Sequence, residues 1–371
     1  MVNEKRLIDE FLELVQIDSP TSKEGAIAKV LVEKLEEIGL DVVVDNAGEK
    51  VGGETGNVIG TLKGNRDGKK IMFSSHMDTV SPGIGVKPII NEEDGIITSD
   101  GTTVLGSDDK AGIAAILEAL RQIKENNLDH ADVQVVFSIW EEGGLYGAKY
   151  LDYSKVNAEY AFVLDSGGAP GEIIIQAPAQ DSMKVKITGK PAHAGLQPEN
   201  GISAIMVAAK AIENMNLLRI DEETTANIGV VNGGIATNIV MPELEITAEA
   251  RSLSVEKLDA QTKHMVETFK KAADEFGAEI QIDVDRAYTP INVAEDDEIV
   301  VLAKKAFENI GIKATTGSTG GGSDTNILAN NGMKAVNLGI GMKKVHTLEE
   351  YIAIKDIIDS AKAVVELIKE A

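Results

Sequence analysis

The sequence predicts an α/β protein in which a large layered domain is interrupted by a small inserted domain. Apolar runs rich in β-branched residues alternate with helical patterns through the first half of the chain. Between about Ser182 and Asp285 the order changes to β-α-β-β-α-β, a complete ferredoxin-like unit, and the alternation resumes after Pro290. We therefore expect a discontinuous domain of residues 1–178 and 289–371, with residues 179–288 as the insert.

The large domain is expected to begin with two helices. Apolar residues recur at helical spacing from Asn3 to about Gln16, and a second helix begins near Ser22 and ends at Gly39, a residue typical of helix C-termini. The pattern then predicts strands at residues 42–44, 58–62, 71–73, 133–139, 161–164 and 335–338, and helices at residues 111–123, 298–309 and 354–368.

The insert contains both the alternating pattern that is typical of strands and the spacing of apolar residues that is typical of helices. Alternation of apolar and polar residues predicts strands at residues 183–188, 227–231, 244–250 and 279–284. Helical spacing predicts helices at residues 202–215 and 255–276. The order of these six elements is the reason for expecting a ferredoxin-like fold.

Composition excludes several classes of function. The formal charge of -24, from 60 acidic and 36 basic residues, disfavours nucleic acid and anionic membranes as partners. The chain has no cysteine, so any metal ion has to be bound by His, Asp and Glu. We find neither a signal-peptide pattern nor an apolar run near the ~20 residues of a membrane span. We therefore expect a soluble cytoplasmic protein.

Histidine and acidic residues follow several predicted strands. His76 follows the strand predicted at residues 71–74, and Asp78 lies two residues further on, where its carboxylate could orient the imidazole. Glu141 and Glu142 follow the next strand, and Asp165 follows another. Taken alone, each of these residues could equally be explained without a functional role, for example as part of a solvated loop.

Their common position is more informative than any single residue. The carboxyl ends of strands in an open α/β sheet share one edge, where sites are built. His346 can reach that edge from a loop, and Asp108, which precedes a predicted helix, has helix capping as its ordinary alternative. For amide hydrolysis by two metal ions, a bridging carboxylate, a ligand pair for each ion and a non-ligating carboxylate as the base are a sufficient set. The chain offers a candidate for each role.

The motifs Ser75-His76-Met77-Asp78, Gly106-Ser107-Asp108-Asp109-Lys110, Glu141-Glu142-Gly143, Leu164-Asp165 and His346-Thr347-Leu348-Glu349 resemble a known family. It is the dinuclear-zinc metallopeptidase family of peptidase T (tripeptide aminopeptidase), glutamate carboxypeptidase, aminoacylase and succinyl-diaminopimelate desuccinylase. The resemblance covers nearly the whole chain and is strongest to the peptidase T branch. It implies a zinc-peptidase-like catalytic domain whose insert serves as a lid or dimerisation domain.

The resemblance also implies a role for each site residue. His76 and Asp165 would bind one metal ion, Glu142 and His346 would bind the other, and Asp108 would bridge them. Glu141 would be the general base, and Asp78 would orient His76. The resemblance implies a cis peptide between Asp108 and Asp109. Zinc is the expected metal, and manganese or cobalt are alternatives because oxygen-rich sites also accept them.

In the insert, the resemblance points to three residues. His193 in Lys190-Pro191-Ala192-His193-Ala194 resembles the family's lid histidine, which helps to stabilise the oxyanion, often across a homodimer interface. Asn238 and Arg251 resemble substrate contacts. The planar guanidinium of Arg251 suits a substrate carboxylate, with an ordinary surface ion pair as the alternative. His130 and His264 match no motif, and we expect both to be solvated.

One Gly-rich segment is followed by a departure from the pattern of the family that this sequence resembles. Gly317-Ser318-Thr319-Gly320-Gly321-Gly322-Ser323-Asp324 lacks the ending of a P-loop, and within the family a similar stretch lines the substrate cleft. Thr325 and Asn326 then stand where peptidase T tends to have Gly. Aspartate at position 165, where the carboxypeptidases and desuccinylases tend to have glutamate, favours an aminopeptidase.

The sequence therefore predicts a metal-dependent aminopeptidase that releases N-terminal residues from tripeptides or other short peptides. Two alternatives remain open at this point. One is a deacylase or desuccinylase that acts on N-acyl amino acids with the same metal ions. The other is a homologue that binds peptides without cleaving them, although no ligand or base is missing from the motifs.

Overall fold

A computed structural model describes residues 2–371, which form two compact units. The large unit runs to Ile175 and also contains Asn292–Ser318 and Ser323–Ala371. The small unit contains Gln176–Ile291 and Thr319–Gly322. Its main segment extends three residues beyond the expected insert at each end, and the four-residue segment within the Gly-rich loop was not anticipated.

The described residues contain ten α-helices. Their bounds are α1 Glu4–Val15, α2 Gly25–Ile38, α3 Ala47–Val51, α4 Ser107–Glu125, α5 Tyr146–Tyr150, α6 Ala204–Glu213, α7 Val255–Phe276, α8 Glu298–Asn309, α9 Asp324–Asn330 and α10 Ile354–Glu370.

Seventeen strands are present in the same residues. Their bounds are β1 Asp41–Val44, β2 Val58–Leu62, β3 Ile71–His76, β4 Ile89–Asn91, β5 Ile96–Thr98, β6 Val133–Ser138, β7 Tyr160–Ser166, β8 Glu172–Ala177, β9 Ala179–Thr188, β10 Leu218–Arg219, β11 Thr224–Gly233, β12 Glu243–Ser252, β13 Glu279–Tyr288, β14 Ile291–Asn292, β15 Thr315–Ser318, β16 Lys334–Gly339 and β17 Tyr351–Ala353.

The large unit is built around a mixed sheet in the order β1-β2-β6-β3-β7-β16-β8-β14, with β15 added beside β8. The four central strands β6, β3, β7 and β16 run parallel to one another. Every residue of β3 and β6 is buried, because helices cover the faces of parallel strands and leave no solvated side. The shared direction places the carboxyl ends of these strands along one edge.

The long helices of the large unit bury apolar stripes against the sheet or against one another, and α1 packs on α4 and α10. In α1, Leu7, Phe11 and Leu14 lie on one face and are fully buried, and Asn3 caps the helix by accepting a hydrogen bond from Arg6 N–H. Helix α4 is buried along most of its length, and the predicted helix start at residue 111 lies four residues inside its real start at Ser107.

A separate three-stranded sheet in the large unit has the order β17-β5-β4. Its strands are three residues each, too short for an alternating pattern to stand out, and the sequence did not predict them. In this sheet Ile352 pairs with Ile97, and both are fully buried. The sheet ties the segment that follows His346 to an early part of the chain.

The small unit contains an antiparallel sheet in the order β10-β11-β12-β9-β13. Without the two-residue strand β10, which was not predicted, the four long strands have the ferredoxin-like order. Helices α6 and α7 bury apolar residues of this unit in its own core, including Val207, Met265 and Phe269. The bounds of α7 are those that the sequence predicted.

The mixed α/β class predicted from the sequence is confirmed. Among residues 2–371, no helix combines the length and the apolarity that a membrane crossing requires.

Candidate metal centre and active site

The parallel strands bring the predicted site residues of the large unit to one edge of the sheet. His76 is the last residue of β3, and Asp165 lies near the end of β7 rather than just beyond it. Glu141 and Glu142 lie in the turn that follows β6. Because these strands are parallel neighbours, the three side-chain groups converge.

Asp108 lies between two histidines. Its Oδ1 atom is 2.9 Å from His76 Nε2, and its Oδ2 atom is 3.3 Å from His346 Nε2. His346 Nε2 is also 2.8 Å from Glu142 Oε1, and His76 Nε2 is 3.9 Å from Asp165 Oδ1. The two oxygens of one carboxylate therefore face two different pairs of side chains, as a bridging ligand requires.

Two overlapping groups of side chains have ligand atoms within 4.8 Å of one another. One contains His76, Asp108 and Glu142, and the other contains His76, Asp109 and Asp165. Asp109 was not among the predicted ligands. Its Oδ2 atom accepts a hydrogen bond from the backbone N–H of His76, whereas Oδ1 is buried without a hydrogen-bond partner. The peptide between Asp108 and Asp109 is cis, as the sequence resemblance implied.

His346 reaches the site from a loop closed at its base. Lys343 and Tyr351 exchange two backbone hydrogen bonds, and Glu350 N–H donates to the carbonyl of Thr347. His346 has a φ of 62°, a left-handed conformation that side chains rarely adopt. The side chain is half-exposed, whereas that of His76 is 2% exposed.

Asp78 connects His76 to the two glutamates. The Nδ1 atom of His76 is 2.9 Å from the backbone carbonyl of Asp78, which requires a proton on Nδ1 and leaves Nε2 directed at Asp108. The Asp78 carboxylate accepts hydrogen bonds from the backbone N–H groups of Glu141 and Glu142. Asp78 therefore positions three candidate site residues, His76 through its backbone carbonyl and the two glutamates through its carboxylate.

The site concentrates negative charge where water is scarce. Burial, reinforced by the charges of Glu141 and Asp108, raises the pKa of Asp165 well above its usual value. Burial also raises the pKa of Glu141, to which the nearby carboxylates of Asp324 and Glu142 contribute. Hydrogen bonds with Asp108 and Glu142 raise the pKa of His346 to about 10. Burial is the main cause for the two carboxyl groups, contacts with carboxylates are the main cause for His346, and a bound cation would oppose all three protonations.

Several supporting residues escaped the sequence prediction. Thr21 donates a hydrogen bond to the Asp78 carboxylate, and the carboxylate of buried Glu24 accepts one from the backbone N–H of Trp140. Ser138, at the end of β6, donates to buried Asp324. These contacts join segments far apart in the chain, so no local sequence pattern indicates them.

The Gly-rich segment has a structural explanation. A Cβ atom on Gly322 would lie 2.3 Å from the ring of Tyr288, so a larger residue there would require this ring to move. Ser323 caps α9, and the side chain of Asn326 accepts a hydrogen bond from the backbone N–H of Ser323 to complete a capping box. Asn326, which departs from the peptidase T pattern, is therefore part of the start of α9.

The three predicted substrate residues all lie in the small unit. His193 and Asn238 are exposed, and the neighbouring Ala194 donates a backbone hydrogen bond to the carbonyl of Asn238. Arg251 forms two hydrogen bonds with Glu249, at 2.9 and 3.0 Å, through Nε and Nη2. The guanidinium fork expected to meet a substrate is thus already paired within its own strand.

The other two histidines differ in environment. His130 is 5% exposed, and its Nδ1 atom is 2.7 Å from the carbonyl of Ala131, so the prediction of a solvated side chain was wrong. His264 is partly exposed and accepts a hydrogen bond from the backbone N–H of Asn216. Neither contributes to a metal-binding group among the described residues.

A parallel sheet edge that gathers two histidines and several carboxylates defines the class of the protein as a metal-dependent hydrolase. The model of peptidase family M20/M25/M40 matches residues 72–370, and the chain belongs to that family. The family predicted from the motifs is thereby confirmed.

Similar proteins span the full length of the chain. The YqjE protein of Bacillus subtilis is 48% identical over 371 residues, which covers 100% of both chains. The crystal structure of aminopeptidase PepT from Bacillus cereus is 46% identical with a TM-score of 0.89, and the match covers 100% of this chain and 99% of that one. A tripeptidase structure from Staphylococcus aureus is 43% identical with a TM-score of 0.94, covering 100% and 98%.

Proposed function

We propose that the protein is a dinuclear metal-dependent aminopeptidase that releases N-terminal residues from tripeptides and other short peptides. The observation that carries the dinuclear centre is the position of Asp108, whose two carboxylate oxygens face His76 and His346 separately. The peptide specificity is supported by the similarity to an aminopeptidase PepT and a tripeptidase, each more than 40% identical.

In this proposal His76 and Asp165 bind one ion, Glu142 and His346 bind the other, and Asp108 bridges the two. Asp109 is the weaker candidate for a ligand, because one of its oxygens already accepts a backbone hydrogen bond. Nitrogen and oxygen donors suit zinc, and the same donors accept manganese or cobalt. We propose zinc.

The residues fit such a pair of cations in both donor chemistry and charge. Asp108, Asp109, Asp165 and Glu141 are all buried or nearly so, and carboxylates crowded in a site of low polarity repel one another. The two histidines leave part of that charge unbalanced even when both are protonated. Two divalent ions would compensate it, and they would displace the proton that the carboxylates of Asp108 and Glu142 hold on His346.

Bound divalent ions would lower the pKa of a water molecule towards about 7 and polarise the scissile carbonyl. Glu141 would take the proton from the attacking water and pass it to the nitrogen of the leaving amine. Asp78 would maintain the direction of Glu141 by binding its backbone N–H, at 2.9 Å.

The small unit would contribute to substrate binding. We propose that His193 stabilises the oxyanion, that Asn238 and Arg251 contact the substrate, and that the unit serves as a lid and as the interface of a homodimer. Exposed apolar residues on this unit, including Met206 at 55% and Leu218 at 71%, support an interface. The cytoplasmic location remains a proposal that cell fractionation would test.

The metal centre is best tested by anomalous scattering from crystals at the absorption edges of zinc, manganese and cobalt. We expect two peaks that share Asp108 as a ligand, with His76 and His346 on opposite ions. A single peak, or two peaks elsewhere in the molecule, would contradict the proposal. The measurement identifies the metal in the same experiment.

The substrate class needs a panel read by mass spectrometry. A tripeptide, the same tripeptide with an acetylated N-terminus, a dipeptide and an N-acyl amino acid would be incubated in parallel with the purified protein. We expect loss of the first residue from the unblocked tripeptide and no cleavage of the blocked one. Exclusive turnover of the acyl compounds would establish a deacylase instead.

A further inference from the structure

Glu350 lies four residues after His346 and is 1% exposed. Its Oε2 atom accepts hydrogen bonds from the backbone N–H groups of Leu105 and Gly106, at 2.8 and 3.0 Å. Its Oε1 atom accepts from Ser107 Oγ at 2.6 Å and from Asp108 N–H at 3.2 Å. All four donors belong to the segment that ends in the proposed bridging ligand.

The Glu350 carboxylate accepts hydrogen bonds at the start of α4, where the local sequence provides no capping side chain. The first N–H groups of a helix lack partners within the helix and are usually capped by a nearby side chain. Helix α4 has Gly106 at its cap position and therefore no capping side chain, and Asp108 and Asp109 depart from helical backbone angles. Glu350, from a distant part of the chain, supplies an acceptor for one of these groups, the N–H of Asp108, and for the N–H groups of Leu105 and Gly106 just before the helix.

The position of Glu350 also couples two metal-binding segments. His346 lies in the loop whose base is closed by the hydrogen bonds between Lys343 and Tyr351, and Glu350 lies next to that base. The same residue holds Asp108, whose Oδ2 atom is 3.3 Å from His346 Nε2. A shift of either segment would separate the two ligands.

We infer that Glu350 is a positioning residue that sets the distance between Asp108 and His346 and thereby the affinity of the ion they share. The inference rests on the metal ligands given under the proposed function. A glutamine at this position keeps the size of the side chain but turns an N–H₂ group towards backbone N–H donors. At least one of these donors would then lose its acceptor.

The test is a zinc titration of the full-length protein, stripped with a chelator and measured in competition with a fluorescent zinc indicator. Substitutions of residues that support metal ligands typically weaken metal binding about 10- to 100-fold. We expect Glu350→Gln to weaken one of two zinc affinities by that factor. Wild-type affinity at both sites in Glu350→Gln would overturn the inference.

Glu118→Gln provides a matched control. Glu118 is fully buried in the same helix α4 and also accepts four hydrogen bonds, from Asn3 N–H, two atoms of Arg6 and the side chain of Gln122. We expect this change to lower the unfolding temperature while both zinc affinities stay at the wild-type values. Equal weakening of zinc binding in the two variants would reduce Glu350 to a general stabilising role and overturn the inference.

Ser107→Ala covers the case in which Glu350→Gln fails to fold. It removes one of the four hydrogen bonds and leaves the carboxylate in place. We expect zinc binding a few-fold weaker than in the wild type, and an unchanged affinity would overturn the inference. If the wild-type protein itself binds no zinc, manganese or cobalt, the proposed metal centre fails, which is a different result from the loss of Glu350's role alone.

Discussion

The two units hold their predicted functional residues in different ways. In the large unit, the side chains of His76, Asp108 and Glu142 are 2%, 12% and 10% exposed, and buried acceptors bind the imidazole of His76 and the backbone N–H groups of the other two. In the small unit, His193 and Asn238 are exposed, and Arg251 is paired with Glu249. The side chains proposed to bind cations are thus largely buried and held by the surrounding protein, whereas two of the proposed recognition residues are exposed and the third is paired with a neighbour.

This difference predicts how substitutions will act. A change in the large unit should affect chemistry or metal binding, since its side chains are already in place. A change in the small unit should mainly affect the concentration of substrate needed for turnover, because those residues would acquire their contacts on binding. The predictions below are ordered by their expected effect on turnover.

The largest effect is expected for Glu141→Gln. Loss of a general base lowers kcat by about 10²- to 10⁴-fold, because glutamine cannot take the proton of the attacking water. Metal content, measured by elemental analysis, should stay near that of the wild type, since Glu141 is not a proposed ligand.

Glu142→Gln is the matched control for that change, because it alters the neighbouring carboxylate, which is 2.8 Å from His346. This variant should lose metal as well as activity. If Glu141→Gln retained wild-type turnover, the base would have to be a different residue.

The position of the site residues at the carboxyl ends of the parallel strands could be predicted, because strand patterns are local features of the sequence. Strand patterns identified β3, β6 and β7, and the rule that sites lie at the carboxyl ends of parallel strands then grouped His76 with the acidic residues. Strand β8 was missed although its Glu172–Ala177 segment contains Ile173, Ile174 and Ile175, a recognisable strand signal.

The supporting contacts could not be predicted in this way. Glu350 meets the segment before α4 across 242 to 245 residues of chain, and Glu24 meets Trp140 across 116. A buried glutamate in a loop looks the same in the sequence as a solvated one, because what distinguishes it is a partner supplied by the tertiary fold. The three-residue strands of the sheet β17-β5-β4 are also hard to predict, because they too depend on partners that the tertiary fold supplies.

A smaller effect on turnover is expected in the small unit, where Arg251→Ala should raise KM for a tripeptide about tenfold with little change in kcat. A charge-assisted hydrogen bond to a substrate carboxylate is worth about 1.5–3 kcal/mol. The expected loss is at the low end because Arg251 is already hydrogen-bonded to Glu249. Steady-state kinetics would measure both constants. Glu249→Gln should lower KM, because it releases the guanidinium fork.

Arg219→Ala is the control for charge alone, since Arg219 is exposed in the same unit and forms no ion pair among the described residues. Its KM should equal that of the wild type. If Arg251→Ala also left KM unchanged, Arg251 and Glu249 would form an ordinary surface ion pair with no contact to the substrate.

The smallest effect on turnover is expected for Glu24→Gln, which instead changes the pH dependence of stability. Burial, reinforced by the charge of Asp78, raises the pKa of Glu24 from 4.5 to about 7. A carboxyl whose pKa is higher in the folded protein stabilises the fold below the unfolded pKa, and that contribution is lost as the pH rises through the folded pKa. The wild type should therefore lose stability between pH 4.5 and pH 7 relative to a neutral side chain.

Glutamine preserves the oxygen that accepts hydrogen bonds from Ser22 and Trp140 N–H, and it does not ionise. Urea unfolding of zinc-loaded wild type and Glu24→Gln at pH 5 and pH 8 should therefore show a difference that shifts in favour of the variant by about 1–3 kcal/mol at the higher pH. Comparing the two proteins at each pH cancels the effect of pH on zinc binding itself. A difference that is the same at both pH values would mean that Glu24 is already ionised in its buried position, so that the contact between residues 22–24 and the Glu141 turn carries a full negative charge.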